Sequence, residues 1–278
     1  MEFLRKVALP LVLCLLFLLL ACDRRLIIRK YQLESGEIQV PLRIVFVSDL
    51  HNSRYGKDQR QLLQAIAKAK PDLLLLGGDI FSDDEDDTNT EAFLQGISGK
   101  YICYFVTGNH EHWFGQEQFL DKMALLEKYG IPRLSGEWAE VAVKGQQIRI
   151  YGVDDPTSHM SAGAEAVIPF ETQLEHGQAD AAEGYTVLLS HKPDYFESYC
   201  QTDFDLVLCG HAHGGQWRIP GLINGLYAPG QGLFPKWAGG LYQENGTTMI
   251  VSRGLCRGNK PIPRIFNRPE LVIIDLVP

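Results

Sequence analysis

The sequence has no surplus of positive charge. Lysine and arginine number 26 against 34 aspartates and glutamates, a formal net charge of −8. An acidic chain without a basic stripe is a poor candidate for binding a nucleic-acid backbone, so no nucleic-acid partner is expected. A nucleotide as a small substrate stays open. Low-complexity tracts and internal repeats are also missing, and the composition is that of an ordinary globular chain, 45% hydrophobic and 22% charged. Cysteine is scarce: six in 278 residues do not make a disulfide framework. Cys14 and Cys22 belong to the leader, and Cys103 and Cys209 lie in apolar strand-like runs where a small buried thiol is the default. Cys200 and Cys256 could pair, but no pattern demands it, and cysteine use leaves the compartment open.

A long apolar run is nearly, but not fully, present. After Arg5 and Lys6, an uncharged run of 16 residues extends from Val7 to Cys22. A spanning helix needs about 20 residues, and a signal core takes about 7–15. LLAC at Leu19 to Cys22 resembles a bacterial lipoprotein cleavage box, which would place a lipid on Cys22, although Leu20 is unusual there. An uncleaved anchor is the alternative. Either way the segment is expected to meet the bacterial cell membrane. Arg24, Arg25, Arg29 and Lys30 follow at once, so both flanks are basic and the orientation stays undecided. The expected layout is a leader or anchor over residues 1–22, a basic juxtamembrane linker over 23–37 and one globular body over 38–278.

In the body one pattern recurs: an apolar run of strand length, then polar residues. PLRIVFVSDLH ends in Asp49 and His51, PDLLLLGGD in Asp79, and YICYFVTGNHEH in Asn109, His110 and Glu111. YTVLLSHKPD ends in His191, and FDLVLCGHAHGG in His211 and His213. Unbroken apolar runs of this length suit strands buried on both faces. DQRQLLQAIAKAKP and EQFLDKMALLEKYGI, between and after the first three runs, carry helical spacing. Asp49 to Asp79 and Asp79 to Asn109 are each 30 positions, about the length of a βαβ unit. The first three polar clusters should therefore share one end of a parallel sheet, where ligands of open α/β sheets bind. VAVKGQQIRIYGVDD reads as a hairpin around Gly145, and TTMIVSRG and ELVIIDLV as further strands, antiparallel and in a second sheet. The expected fold class is α/β, a two-sheet β-sandwich flanked by helices. The acidic stretch Ser82 to Glu91 reads as an exposed loop.

Five of the eight histidines fall in the rim set Asp49, His51, Asp79, Asn109, His110, His191, His211 and His213. Carboxylate, imidazole and amide oxygen are ligand types for divalent cations such as Mn²⁺, Fe²⁺ and Zn²⁺. No cysteine is required, which argues against a structural zinc site. In an extended G-H-x-H segment, side chains two apart point the same way, so both imidazoles of His211 and His213 could face the rim.

The order D-x-H, G-G-D, G-N-H-E, S-H, G-H-x-H, from about Arg43 to Gly215, resembles the calcineurin-like metallophosphoesterase family, in particular its membrane-associated bacterial branch. That resemblance implies two metal ions: Asp49, His51 and His213 on one, Asn109, His191 and His211 on the other, with Asp79 bridging. It implies attack on phosphorus by a hydroxide shared between the metals, with His110 protonating the leaving oxygen. Glu111 is expected to orient its neighbours, Asp154 and Asp155 to form a strand-end turn, and His112, His159 and His176 to be ordinary polar residues. GGDIFSDDED has no arginine where the family's phosphoprotein phosphatases carry one, which speaks against a phosphoprotein substrate. GGQWRIPGLINGLYAPGQGLFPKWAGGLY is similar to a loop of the membrane-linked branch, part of which is associated with cleavage of UDP-2,3-diacylglucosamine pyrophosphate or of phosphodiesters in general. A phosphodiesterase or pyrophosphatase acting on a small or lipid-linked phosphoester is the expected function. A phosphomonoesterase or nucleotidase, and more remotely an inactive membrane scaffold, are the alternatives.

Overall fold

The computed structural model describes residues 2–82, 86–113, 115–160, 168–179, 184–257 and 263–278. The chain begins with helix α1 (Glu2–Ala21) and strand β1 (Ile27–Glu34), followed by β2 (Leu42–Val47), α2 (Arg60–Ala69), β3 (Leu73–Gly77), α3 (Thr88–Ile97) and β4 (Ile102–Val106). Then come α4 (Asn109–His112), α5 (Gln116–Lys128), β5 (Glu137–Val143), β6 (Gln146–Gly152), α6 (Phe170–Ala179), β7 (Thr186–Leu189), α7 (Phe196–Tyr199) and β8 (Leu206–Cys209). A two-residue ribbon, β9 (Tyr227–Ala228) and β10 (Gly232–Leu233), precedes β11 (Gly240–Glu244), β12 (Thr247–Val251) and β13 (Glu270–Val277).

Two sheets face each other. The first has the order β1-β13-β2-β3-β4, and the second β11-β12-β8-β7-β6-β5. β2, β3 and β4 are mutually parallel, as the spacing of their polar ends requires. β6, β7, β8 and β12 form the parallel centre of the second sheet, with β5 and β11 as antiparallel edges. Strand alternation sorts the core. Ile44, Phe46, Leu73 and Leu75 point inward and meet Ile148, Ile150, Val187 and Leu208 of the other sheet. Their neighbours Val45, Val47, Leu74 and Leu76 point outward under Leu62 and Ile66 of α2 and Phe93 and Leu94 of α3. Burying each such side chain contributes roughly 1.5–3 kcal/mol. The far face of the second sheet is covered by Phe170 and Leu174 of α6 and Phe196 and Tyr199 of α7.

Four expectations change. Residues 27–34, read as linker, form edge strand β1, paired in parallel with β13. Their burial alternates strictly, with Ile27, Arg29, Tyr31 and Leu33 on the covered side; the interleaved charges masked a period of two. β13 joins the first sheet rather than a second one, antiparallel to β2. β12 does lie in the second sheet but runs parallel to β8. The acidic stretch 82–91 is not all loop: α3 begins at Thr88, because Thr90, Phe93, Leu94 and Ile97 recur at helical spacing and are buried. Residues 83–85 of that stretch lie outside the described ones. The hairpin around Gly145 is as expected, with Lys144 and Gly145 both at positive φ (51° and 84°), the geometry of a tight two-residue turn.

Leu9, Leu13, Phe17 and Leu20 of α1 are all more than half exposed. Among the described residues no helix is long and apolar enough to cross a membrane. Cys200 and Cys256 are not joined by a disulfide.

Candidate metal centre

The site is assembled where five strands stop. β2 delivers Ser48, Asp49 and His51; β3 ends in Gly77, followed by Gly78 and Asp79; β4 leads through Gly108 into α4 with Asn109, His110 and Glu111. β7 and β8 of the other sheet deliver His191 and the pair His211 and His213. The loops are knitted together by their backbones. The Asp49 N–H donates to the Gly78 carbonyl at 3.0 Å, His51 N–H to the Asp79 carbonyl at 3.0 Å, and Gly210 N–H to the His191 carbonyl at 3.0 Å.

The seven residues expected as ligands come together. Asp49, His51, Asp79 and His213 offer one ligand atom each within 4.8 Å of one another, and Asp79, His191 and His211 do the same. Asp79 belongs to both groups. Its Oδ2 lies 3.1 Å from His191 Nε2, 3.5 Å from His51 Nε2 and 4.0 Å from His110 Nε2. His213 Nε2 lies 3.7 Å from Asp49 Oδ1. Asn109 lines the same cavity, and its amide oxygen is buried with no hydrogen-bond partner.

Holding these side chains inward strains the backbone. Asp49, His51, Asp79, His211 and His213 all have φ between 44° and 64°, a region non-glycine residues seldom occupy and one that clusters at functional sites. Here the G-H-x-H expectation is corrected. The segment is not extended; two left-handed residues flanking Ala212 turn both imidazoles to the rim. The glycines matter for closeness. A Cβ on Gly210 would overlap the Asp49 carboxylate, and one on Gly78 would come within 2.6 Å of the Gly108 nitrogen.

A second layer orients the first. The Glu111 carboxylate accepts the N–H groups of Gly108 (2.6 Å), Asp79 (2.9 Å), Ile80 (2.9 Å) and Phe81 (3.1 Å), closing the β3 loop onto the start of α4. Asp49 accepts the Ser48 hydroxyl at 2.5 Å and the His211 N–H at 2.9 Å. His191 Nδ1 is 2.8 Å from the Gly77 carbonyl. A carbonyl only accepts, so Nδ1 carries a proton and Nε2 is the nitrogen turned to the Asp79 carboxylate at the centre.

Charge balance points to cations. Burial raises the pKa of Asp49 to about 6. Burial also opposes ionisation of Asp79, but the His191 and His110 charges override it and hold that carboxyl well below its ordinary range. Burial opposes a charge on His191, yet Asp79 raises it to about 10. Burial pushes His211 and His213 well below the usual imidazole value. Buried carboxylates and imidazole lone pairs thus converge on one point and compete for positive charge. The donors fit two divalent ions: oxygen and nitrogen ligands, buried, mutually close, with an orphaned amide oxygen among them.

The cluster of carboxylates and imidazoles floors a cavity of about 320 Å³. His110 lines it, its ring 4.4 Å from that of His51 and 4.2 Å from that of Trp113. Thr157, Lys192, Gln216, Cys256 and Arg264 line it too. Of these, Gln216 follows His213 by three positions in the sequence. Lys192 follows His191 directly, the one signal available for it, and its Nζ lies 3.6 Å from Asp155 Oδ1. Arg264 is 51 positions from His213 and carries no sequence signal, yet its Nη2 lies 3.3 Å from His213 Nδ1. Its Nη1 is buried without a hydrogen-bond partner. Arg218, five positions after His213, does not line the cavity and donates to Asn224. Asp154 and Asp155 are buried, more than a solvent-facing turn implies. His112 is buried as well, stacked on Phe119.

A strand-end cluster of this composition, shared between two sheets of a sandwich, defines a candidate metal-binding site. Comparison with known proteins narrows the class. Residues 42–215 match the family described as calcineurin-like phosphoesterase. The chain is 31% identical over 243 residues to "Phosphodiesterase YaeI" of Escherichia coli (strain K12), covering 85% of this chain and 83% of that protein. Among solved structures it resembles TT1561 of Thermus thermophilus (TM-score 0.51, 12% identity, 78% of this chain and 91% of that one). It also resembles a 5'-nucleotidase precursor from the same organism (TM-score 0.50, 15% identity, 78% of this chain), of which it spans about half, 49%. At such identities these two likenesses speak for the fold alone. The chain belongs to the calcineurin-like phosphoesterase family, and it is a hydrolase of phosphoester bonds.

Proposed function

We propose that the protein hydrolyses phosphodiester or diphosphate bonds of a small or lipid-linked substrate, using two divalent cations held by the rim residues. The observation that carries this reading is the sharing of Asp79 between two groups of potential ligands, each gathered within 4.8 Å. In this reading Asp49, His51 and His213 hold one ion, Asn109, His191 and His211 the other, and Asp79 both. Mn, Fe and Zn all suit such oxygen and nitrogen donors. Two ions bound there would supply an activated water and neutralise charge on phosphate oxygens.

The chain's own residues do the rest. Glu111 keeps the Asp79 loop in place through its four backbone N–H contacts. His110 lines the cavity; in this reading it is not a ligand and protonates the departing oxygen. The unpartnered Nη1 of Arg264 and the Nζ of Lys192 supply positive charge on the cavity wall for a phosphate group. The name of the Escherichia coli relative favours a diester. The exposed apolar side chains of α1 favour attachment to a bacterial membrane through the N-terminal segment, as anchor or as lipid-modified leader.

The test is hydrolysis of bis-p-nitrophenyl phosphate beside p-nitrophenyl phosphate, with Mn²⁺ or with chelator. Metal-dependent preference for the diester supports the proposal. Preference for the monoester moves the reading to a phosphatase or nucleotidase. Turnover unaffected by thorough chelation would refute the two-ion site.

A further inference from the structure

We propose that the lip of the cavity, residues 216–234, is a second contact with an anionic lipid bilayer, so that the active site opens onto the plane of lipid phosphates. This rests on the reading of α1 as a membrane-attached helix, and it adds the orientation of the catalytic body and the source of its substrate.

The lip carries an unusual density of exposed apolar side chains. Leu222 is 79% exposed, Leu233 69%, Phe234 65%, Tyr227 50%, Ile219 49% and Trp217 44%. Single exposed apolar residues are ordinary, but a contiguous set on one loop marks an interaction surface. The loop is held rather than free. The Leu226 N–H donates to the carbonyls of Gly215 and Trp217, both at 2.9 Å, and Phe234 N–H to that of Leu226 at 2.8 Å. A firmly held loop presents its tips at little ordering cost on binding.

The lip is continuous with α1. The Phe17 ring packs 5.4 Å from that of Phe266, whose N–H donates to the Ala21 carbonyl at 2.7 Å. The preceding residue, Ile265, bridges to Trp217 in parallel, and Arg218 N–H donates to its carbonyl at 2.9 Å. The Trp217 indole N–H donates to the Pro263 carbonyl at 3.0 Å. One short segment therefore separates the base of the apolar helix from the apolar loop. Gln216, Pro229 and Gly230 of the lip and Arg264 of that segment all line the cavity. A surface that holds α1 and the lip together also holds the cavity mouth.

Charge complementarity selects the occupant. The base of α1 is ringed by arginines in a chain of net charge −8. Arg24 and Arg25 are exposed there. Arg257 Nε donates to the Arg24 carbonyl, its Nη1 to that of Arg54, and Arg268 Nε to that of Arg25. Asp23 is the acid among them, 3.2 Å from Arg268 and 2.9 Å from Arg25. Apolar tips beside an arginine collar fit an anionic bilayer, with Trp217 and Tyr227 at the depth such rings favour.

The experiment adds the full chain to vesicles of phosphatidylethanolamine and phosphatidylglycerol, with and without bromine on the acyl chains. Cosedimentation reads α1, and quenching of tryptophan emission by brominated chains reads the lip. The expected result is strong quenching that is largely lost in Trp217→Phe. Because that change also removes a hydrogen bond, Leu222→Trp is measured beside it and should add a quenched component. Replacing Leu233 and Phe234 by glutamate should reduce the quenching while the chain still cosediments. If the chain cosediments but Trp217 is quenched by aqueous iodide and not by bromolipid, the lip contact is wrong and the α1 reading stands. If the chain does not cosediment, the α1 reading fails and the lip contact falls with it.

Discussion

At the floor of the cavity Asp49, Asp79 and His191 are at most 1% exposed, while at its lip Leu222 and Leu233 are 79% and 69% exposed. The floor is polar and buried, and the lip is apolar and open, the reverse of where burial alone would place such residues. The floor tolerates this because each carboxylate and imidazole has a backbone group, another site residue or a cation's place to face. The cost is left-handed backbone at five residues. Among the described residues, the Leu222 and Leu233 tips of the lip stay largely exposed. The difference separates two tasks: chemistry needs groups that cannot move, and recognition needs groups that are not yet satisfied.

Removing the shared residue should break the floor most severely. Asp79→Asn should lower kcat/KM by on the order of 10³-fold or more, since several kcal/mol of charge stabilisation depends on it. Metal analysis of the purified variant should find both ions depleted. His110→Ala should cost on the order of 10²–10⁴-fold on an alkyl diester. The loss on a p-nitrophenyl ester, whose leaving group needs little protonation, should be much smaller, and equal losses on both would remove His110 as the acid. Glu111→Gln would turn an amide N–H₂ toward two of the four backbone N–H donors, Asp79 and Gly108 on one carboxylate oxygen or Ile80 and Phe81 on the other. About 10–100-fold should be lost in metal affinity or activity, read by titrating metal against turnover.

The remaining two predictions probe stability on either side of the contrast. Burial lowers the pKa of His112 from 6.5 to about 4, against the pull of Asp154 and Asp155. Between those values the unfolded chain binds a proton that the folded one refuses. Its contribution to stability is therefore complete above pH 6.5 and is lost progressively as pH falls toward 4. Thermal melts over this range should show a shallower decline in His112→Gln, and an unchanged slope would contradict the burial argument. Leu222→Ser, at the exposed lip, should shift stability by no more than about 0.5 kcal/mol. A larger shift in a denaturant melt would mean that Leu222 packs in the folded protein and is no free tip.

Much of the floor could be read from the chain because strand ends leave local marks. Apolar runs stop at Asp49, Asp79, Asn109, His191 and His211, and each stop coincides with a side chain at the rim. Lys192 and Arg264 were not legible as parts of the site. A lysine beside a histidine is common, and an arginine far along the chain reaches His213 through tertiary contacts, its Nη2 on the Arg253 carbonyl and its neighbour Ile265 bridged to Trp217. Strand β1 was hidden by its charges, since an edge strand with one solvated face can carry them at every second position.

Strand and helix periods, the order of the rim residues and the ligand types are properties of neighbours in sequence, and the chain alone determined them. Which sheet each C-terminal strand joined was decided by tertiary packing, as was the turning of His211 and His213 by left-handed backbone rather than by an extended segment. So were the closure of Glu111 over the Asp79 loop and the placing of Arg264 in the cavity wall. These depend on contacts between residues far apart in the chain, whose gain in burial and hydrogen bonding outweighs local backbone preference only once both sheets are assembled.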